Sequence, residues 1–455
     1  MPIKGIRLYF AGILSGASRS SFVRDTVSTT LYVLIGKGAG FLIPFFIAAW
    51  FGVSSGMDAF FFAYAVIFFL ATIFSAVVES VSVPFIAEAR ARGEDVGLFV
   101  GRILGTSAIG VGALSAAALL AARPALTVVS RFGPGEVDLI TIILAETAPL
   151  AILLVWTSAL SGALNAYGSF RAPALSPAFR AAVTLAFIYA MKDDLGVHAI
   201  AWGYLAGEAA RLLILFFIVR RSGLLRVRLA VSWDSRFREF LRKSSLQVAG
   251  MSLAVLSPLV DRVMASWLEP NSVSILEYSE KLFFIPSNLL SMGFLTVLLS
   301  KWSNDHYNDR PVANSGVLRL ICIITPMLLV FTLAFFIFGG FLTKLVYGRG
   351  SISADDLEAI TLLFGFYVLG LPAIIIGHVL ARWMLVLKDM AALFKIGAFK
   401  ASANAMLNLV FIYYTGLPGI ALSSTVTAFF TMALYYLYFK KTDKGVCIGL
   451  QGKAL

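Results

Sequence analysis

The stretch Gly196-Val197-His198-Ala199-Ile200-Ala201 recurs in altered form 220 positions later, as Gly416-Leu417-Pro418-Gly419-Ile420-Ala421. Without a gap, the same register aligns Ala178-Phe179-Arg180-Ala181 with Ala398-Phe399-Lys400-Ala401. An internal repeat of this length in an apolar chain predicts two similar helical lobes with a cleft between them. Many transporters use paired lobes of this kind to present a site to each side of the membrane in turn.

The composition indicates a membrane protein along its whole length. Of 455 residues, 59% are hydrophobic and 14% charged, and the mean hydropathy is +0.87; soluble chains have about 25% charged residues. Apolar runs of about 20 residues can cross the bilayer, and in lipid they must be helical because every backbone polar group needs a partner. We therefore predict an all-α polytopic fold of about twelve spans in two pseudo-symmetric six-helix lobes. The spans are 28–51, 58–86, 98–122, 138–164, 174–191, 197–219, 244–267, 273–300, 316–342, 357–383, 391–414 and 417–439.

Lysine and arginine residues concentrate in alternate connections between these spans. On one side, the connection 220–243 by itself carries eight of them. The connections on the opposite side together carry only Arg123, Arg131, Lys192, Lys344 and Arg349. By the positive-inside rule, both termini are expected in the cytoplasm. The predicted organisation is a cytoplasmic leader or interfacial helix (1–27), a first lobe (28–219), a basic cytoplasmic linker (220–243), a second lobe (244–439) and a cytoplasmic tail (440–455).

Several functional classes find no support in the sequence. The cations lie in loops between spans and not on one basic face, so nucleic acid is not an expected partner. Cys322 and Cys447 form no metal or redox motif, and the three histidines are scattered singly, so neither a metal nor a cofactor is predicted. The run Gly36-Lys37-Gly38-Ala39-Gly40 lacks the spacing of a phosphate loop. With Gly101/Gly105 and Gly203/Gly207, it is interpreted as a surface for close helix packing.

Ionisable residues inside the predicted spans are the strongest functional signal. Each costs a few kcal/mol to insert unless it is paired or hydrated. A water-filled cleft with an anionic substrate would explain the cations, and the carboxylates would balance them or couple a cation. The alternative is that these residues form structural ion pairs, as we expect of Glu208 with Arg211. The substrate-binding candidates are Lys37, Arg180, Arg262, Lys281 and Lys400; the coupling or charge-balancing candidates are Asp261, Glu277 and Glu280. The aromatic run Phe60-Phe61-Phe62 with Tyr64 is interpreted as lipid contact or packing.

Several segments resemble one known family of membrane proteins. Phe51-Gly52-Val53 through Asp58-Ala59-Phe60-Phe61, and then Val83-Pro84-Phe85-Ile86-Ala87-Glu88, resemble the opening helices of the MurJ/MviN lipid II flippases. The segment from Asp261-Arg262-Val263 to Tyr278 and Pro286 is similar to the seventh and eighth helices of that family. Asn408-Leu409 with Gly419-Ile420-Ala421-Leu422-Ser423 is similar to the eleventh and twelfth helices of that family. The resemblance covers about residues 28–441.

The resemblance implies a V-shaped bundle, similar to MurJ and to the related MATE exporters, in the bacterial inner membrane. It would move a polyprenyl-diphosphate-linked saccharide to the periplasmic leaflet, with membrane lipids as further partners. Lys37 stands at a position where the family has a cavity arginine, and Glu280-Lys281 stand where it has Asp-Arg. Ile43-Pro44 and Ala71-Thr72 replace charged pairs of the family. An exopolysaccharide or O-unit precursor therefore stays open beside lipid II.

Two other functions also stay open. A multidrug or organic-cation antiporter of the same superfamily would need a net acidic cavity. A membrane scaffold for polysaccharide assembly would tolerate neutralisation of the cavity cations. The driving force is left open between the membrane potential, protons and sodium ions, and we expect glycosyltransferase or polymerase genes as neighbours.

Overall fold

The computed structural model describes residues 21–223, 227–231, 234–307, 314–387 and 389–451. These residues form fourteen α-helices, and no β-strand occurs among them. Most of the predicted leader, residues 1–20, lies outside the described residues. The helices are α1 (Ser21–Phe51), α2 (Ser55–Ala91), α3 (Val96–Val129), α4 (Pro134–Ala166), α5 (Arg171–Leu195), α6 (His198–Arg221), α7 (Ser235–Ala265), α8 (Ser272–Tyr307), α9 (Asn314–Ile337), α10 (Gly339–Tyr347), α11 (Ala354–Leu369), α12 (Leu371–Val386), α13 (Met390–Thr415) and α14 (Pro418–Gln451).

The predicted spans agree well with these helices. Within the described ranges, nine helices are long and apolar enough to cross a membrane, and α11 with α12 forms a tenth candidate that is bent by 42°. This bent pair occupies the predicted span 357–383. The predicted spans 244–267 and 273–300 fall on α7 and α8, which carry five of the eight charged residues of the predicted site and are not among the ten. The all-α multi-pass fold is confirmed.

The repeat seen in the sequence corresponds to the same helix end occurring twice. Gly196 ends α5 and Gly416 ends α13, with φ of 54° and 66° and ψ of −134° and −139°. The N–H of each glycine donates to the carbonyl four residues earlier, at 3.0 and 2.9 Å. Positive φ favours glycine, which lacks the Cβ that crowds other residues there. Ile200 and Ile420, the matched apolar residues that follow, are both fully buried.

Helices α1 to α6 pack mainly on one another, and α8 to α14 do the same, whereas α7 packs on α2 as well as on α13 and α8. The contacts between these two groups are made chiefly by α2 with α7 and α8, and by α1 with α8 and α10. A division near 220–243 would produce this pattern, and the lobe boundaries themselves stay a prediction.

The connection between the groups lies directly against α3. A Cβ on Gly101 would come within 1.7 Å of the carbonyl oxygen of Arg228, and one on Gly105 within 2.4 Å of that of Ala230. The backbone N–H of Ala230 donates to the carbonyl of Gly101 at 3.4 Å. These two glycines do permit a close approach, but their neighbour is the connecting chain, so the predicted contact with another helix is wrong for them.

The helix α7 begins well before the predicted span at 244. Asp234 caps its first turn, because its carboxylate accepts from the N–H of Phe237 at 2.7 Å. The side chains of Phe237 and Phe240 are buried against Phe85 of α2 and Phe99 of α3. The first turns of α7 are thus packed onto helices of the first group, and not free at the membrane surface.

A second joint connects the groups where α2 and α8 begin. The buried carboxylate of Asp58 accepts from both the N–H and the hydroxyl of Ser274, at 2.8 and 2.6 Å. The Tyr278 hydroxyl donates to the carbonyl of Gly52 at 2.9 Å. Since Asp58 lies at the first turn of α8, its charge also interacts favourably with the positive end of that helix.

Candidate functional site

A cavity of about 820 Å³ lies between the two groups of helices. Side chains from α1, α2, α5 and α6 form one wall, which we call the first wall. Side chains from α7, α8 and α11 to α14 form the opposite one, the second wall. The charged residues that line the cavity are Arg180, Arg211, Asp261, Glu277, Glu280, Lys281 and Lys400.

In the first wall, two arginines flank one buried carboxylate. Glu208 of α6 is fully buried, and its Oε1 accepts from Nη1 of Arg211 at 3.0 Å and from the Thr157 hydroxyl at 2.6 Å. The Nε of Arg211 donates to the Ser176 hydroxyl at 3.0 Å. Arg180 of α5 approaches the other carboxylate oxygen only to 3.6 Å. The expected pair of Glu208 with Arg211 is therefore present, and Arg180 is a looser third member.

The second wall contains a tighter ion cluster. Arg262 of α7 donates from Nε to Glu277 at 2.8 Å, from Nη1 to the carbonyl of Pro258 at 2.6 Å, and from Nη2 to both Glu277 and Glu280. Lys281 lies 2.8 Å from the other oxygen of Glu277. These contacts connect α7 to α8 and orient Lys281 at the cavity surface.

Asp261 and Lys400 occupy the remainder of the second wall. The Asn408 amide donates to Asp261 at 2.6 Å, and the Ser423 hydroxyl donates to Asn408. Lys400 is exposed to the cavity, and no ion pair within 4.0 Å is found for it among the residues with described side chains. It is thus free to meet an anion.

Aromatic side chains also line the first wall. Phe60 and Tyr64 of α2 stack at 5.7 Å between ring centroids, and Tyr64 lies 4.9 Å from Tyr204 of α6. Phe61 and the half-exposed Phe68 border the same space. The packing interpretation holds for the buried Phe60, Phe61 and Phe62, but the lipid-contact interpretation is wrong for Phe60, Phe61 and Tyr64, which face the cavity.

Most of the candidates named from the sequence share this one cavity. Arg180, Lys281, Lys400, Asp261, Glu277 and Glu280 line it. Arg262 does not; it lies behind Glu277 and Glu280. Lys37 falls within α1, but its side chain lies outside the described part of the structure. The roles of all these residues stay predictions.

The structure adds lining residues that the sequence did not single out. Asn404 lines the cavity and is a buried neutral group, which leaves no charge signal inside a span. His378 lines the cavity, whereas His198 pairs with Glu146 at 2.9 Å and the side chain of His306 is not described. Within the described residues, no group of three or more His, Cys, Asp or Glu could hold a metal ion.

Three comparisons relate this chain to known proteins. The family model for the lipid II flippase MurJ matches residues 47–452. A probable lipid II flippase MurJ of Vibrio cholerae is 24% identical over 453 residues, covering 91% of this chain and 82% of its own length. A solved lipid II flippase MurJ in an inward closed conformation matches with a TM-score of 0.80 at 20% identity, over 91% of this chain and 87% of that one.

The fold is shared more widely than the family. An inward-facing multidrug resistance MATE transporter of the MOP superfamily matches with a TM-score of 0.76 at 15% identity, over 92% of this chain and 95% of that one. At such identities the two solved structures establish the fold alone. The family model, in contrast, spans most of the sequence, and it shows that this multi-pass membrane protein is a transporter and belongs to the lipid II flippase MurJ family.

Proposed function

We propose that the chain moves a polyprenyl-diphosphate-linked saccharide across the bacterial inner membrane by alternating access between the two groups of helices. Lipid II is the substrate that the family and its named relatives indicate. An exopolysaccharide or O-unit precursor, which has the same diphosphate chemistry, is the alternative. Both termini are proposed to lie in the cytoplasm.

The observation that carries this proposal is the convergence of cations from both walls on one cavity. Arg180 comes from the first wall, and Lys281 and Lys400 come from the second. Guanidinium and ammonium groups bind phosphate oxygens through charge-assisted hydrogen bonds. A cavity of about 820 Å³ has the size of a small-molecule pocket and suits a polar headgroup. The lipid chain would stay in the bilayer.

The balance of charge argues against a cationic substrate. The first wall has two arginines against Glu208, a difference of one positive charge. The second wall has Arg262, Lys281 and Lys400 against Asp261, Glu277 and Glu280, a difference of zero. An organic cation would require an acidic cavity, so the antiporter is the less favoured function.

The energy source has two candidate routes. An anionic headgroup that leaves a negative cytoplasm gains about 2.3 kcal/mol per charge per 100 mV. Alternatively, a proton or sodium ion could be coupled through Asp261, with Glu277 and Glu280 balancing the cations. Genes for glycosyltransferases or a polymerase beside this one would favour an exopolysaccharide substrate.

Reconstitution into vesicles with fluorescent polyprenyl-diphosphate sugars tests the proposal. The wild-type protein should move at least one of them, and a double Lys281→Gln, Lys400→Gln variant should move it at least tenfold more slowly. Lys395→Gln is the matched control, because Lys395 is exposed on α13 and does not line the cavity. Exchange of a cationic dye with no movement of any lipid-linked sugar would establish the antiporter. Movement of neither a lipid-linked sugar nor the dye by the wild-type protein would favour the scaffold, and full transport by the double variant would overturn the role proposed for these two lysines.

A further inference from the structure

The buried carboxylate of Glu208 holds its two arginines unequally. Its Oε1 accepts from both Arg211 and Thr157, whereas its Oε2 has no hydrogen-bond partner in the described structure. Arg180 reaches Oε2 only at 3.6 Å, and its own buried Nε also lacks a partner among the described residues. Buried polar groups normally have hydrogen-bond partners, so these two atoms are the ones that a further donor and a further acceptor could engage.

The two arginines also differ in how firmly they are placed. Arg211 is fixed by two hydrogen bonds, to Glu208 and to Ser176, each of 3.0 Å. Arg180 has one long ion pair, and its side chain is 20% exposed at the cavity. Of the two, Arg180 can therefore move with less loss of bonding.

The space beside Arg180 is open because α1 presents glycine there. A Cβ on Gly40 would lie 3.5 Å from Nη2 of Arg180, and Gly40 itself lines the cavity. The guanidinium therefore lies over bare helix backbone. A larger side chain at position 40 would fill the space that a ligand of Arg180 needs.

The charge of this wall specifies an anionic ligand. Two guanidiniums face one carboxylate, and the surplus charge lies at Arg180, which makes no hydrogen bond to the residues that the structure describes. A guanidinium binds two phosphate oxygens at once through its planar fork. We propose that Arg180 and Arg211 form a phosphate clamp, in which Arg180 exchanges the Glu208 carboxylate for a phosphate oxygen of the substrate. This rests on the proposed function and assigns the diphosphate contact to the first wall.

The exchange makes Glu208 a competitor of the ligand. While the cavity is empty, its charge satisfies part of the charge of Arg180 and holds the side chain back. When a phosphate arrives, Arg180 turns toward it, and Glu208 keeps Arg211 and Thr157. A purely structural triad would show no such competition, because Glu208 would only stabilise the packing of α5 against α6.

Binding of farnesyl diphosphate to the purified protein in detergent micelles tests the clamp, with farnesol as the ligand that lacks phosphate. Arg180→Gln should weaken diphosphate binding at least tenfold. Glu208→Gln should tighten it at least threefold, because the competing charge is gone. Neither variant should change farnesol binding. Inorganic diphosphate should compete with farnesyl diphosphate and follow the same order across variants.

Unchanged or weaker diphosphate binding in a folded Glu208→Gln protein would overturn the clamp. If that variant does not fold, Gly40→Val gives the same test with every charge in place, and it should weaken diphosphate binding but not farnesol binding. Lys281→Gln separates the two proposals. If it weakens binding while the Arg180 and Glu208 variants leave binding unchanged, the clamp fails and the proposed function stands. A wild-type protein that binds diphosphate no better than farnesol overturns both.

Discussion

Replacing Arg262 by methionine is the sharpest test of how the second wall is built. The change removes hydrogen bonds to Glu277, Glu280 and the carbonyl of Pro258, together with one positive charge. The side chains of Arg262 and Glu277 are only 5% and 4% exposed, so water cannot replace the lost partner. Glu277 would keep only Lys281, at 2.8 Å.

The expected loss of stability follows from this burial. Breaking a buried ion pair by removing one partner costs about 3–5 kcal/mol, because the other charge is left uncompensated. Lys281 still neutralises part of Glu277, so we expect the lower end, about 3 kcal/mol. A double variant, Arg262→Met with Glu277→Gln, removes both charges and should recover about 2 kcal/mol of that loss.

Unfolding of the purified protein by SDS, followed by tryptophan fluorescence, measures these differences. Arg238→Met is the matched control, since Arg238 is exposed on the same helix, and it should change the free energy of unfolding by less than about 0.5 kcal/mol. The reasoning is refuted if Arg262→Met is as stable as the control. It is also refuted if the double variant is no more stable than the single one.

Three further predictions concern the contacts outside the cavity. Asp58→Ala should weaken the joint between α2 and α8 by about 2 kcal/mol and Asp58→Asn by less, since only Asn keeps an acceptor; an unchanged distance between spin labels on the two helices would contradict this. Hydrogen bonding from the N–H of Phe237 lowers the pKa of Asp234, so its stabilising effect should be complete above about pH 4 and fade as acid protonates it. Asp234→Ala should cost about 1 kcal/mol at pH 7 and flatten the acid limb of a melting-temperature profile. Gly101→Ala should lower the free energy of unfolding by about 1–3 kcal/mol, because the added Cβ clashes with the linker. Gly110→Ala, whose Cβ meets no atom within 4 Å, should not lower the melting temperature.

The sequence predicts the helices and the repeat because both follow from local chemistry. An apolar run in lipid can only be a helix, and the matched glycines end matched helices wherever they occur. The bend between α11 and α12 depends on contacts that a span prediction cannot see. The N–H of Gly370 bonds to the carbonyl of Tyr367, and the carbonyl of Phe366 instead accepts from the Thr425 hydroxyl at 2.6 Å. A distant helix thus completes the hydrogen bonding at the break.

The site is predictable in its membership but not in its pairing. Charges inside spans are costly, and this cost selected Arg180, Lys281 and Lys400 correctly as lining residues. It could not distinguish them from Arg262, because the difference lies in which carboxylate each one meets. Arg262 and Glu277 are separated in the chain by the end of α7, a loop and the start of α8, so their spacing does not predict that they pair. Only the packing of α7 on α8 determines that this cation is buried in an ion cluster and not at the cavity surface.

Alternating access, as proposed, places a specific demand on α7. Its first turns are packed with the first group of helices through Phe237 and Phe240, and its last turns are bonded to the second group through Asp261 and Arg262. The helix is continuous between these two attachments. Any relative movement of the groups must therefore either bend α7 or unpack its aromatic residues. Pro258 lies between the attachments and has no N–H to donate, so the helix lacks one of its own hydrogen bonds on the side where it joins the ion cluster. Bending there breaks fewer bonds than bending elsewhere along α7, and it would move Arg262, Glu277 and the cavity surface together.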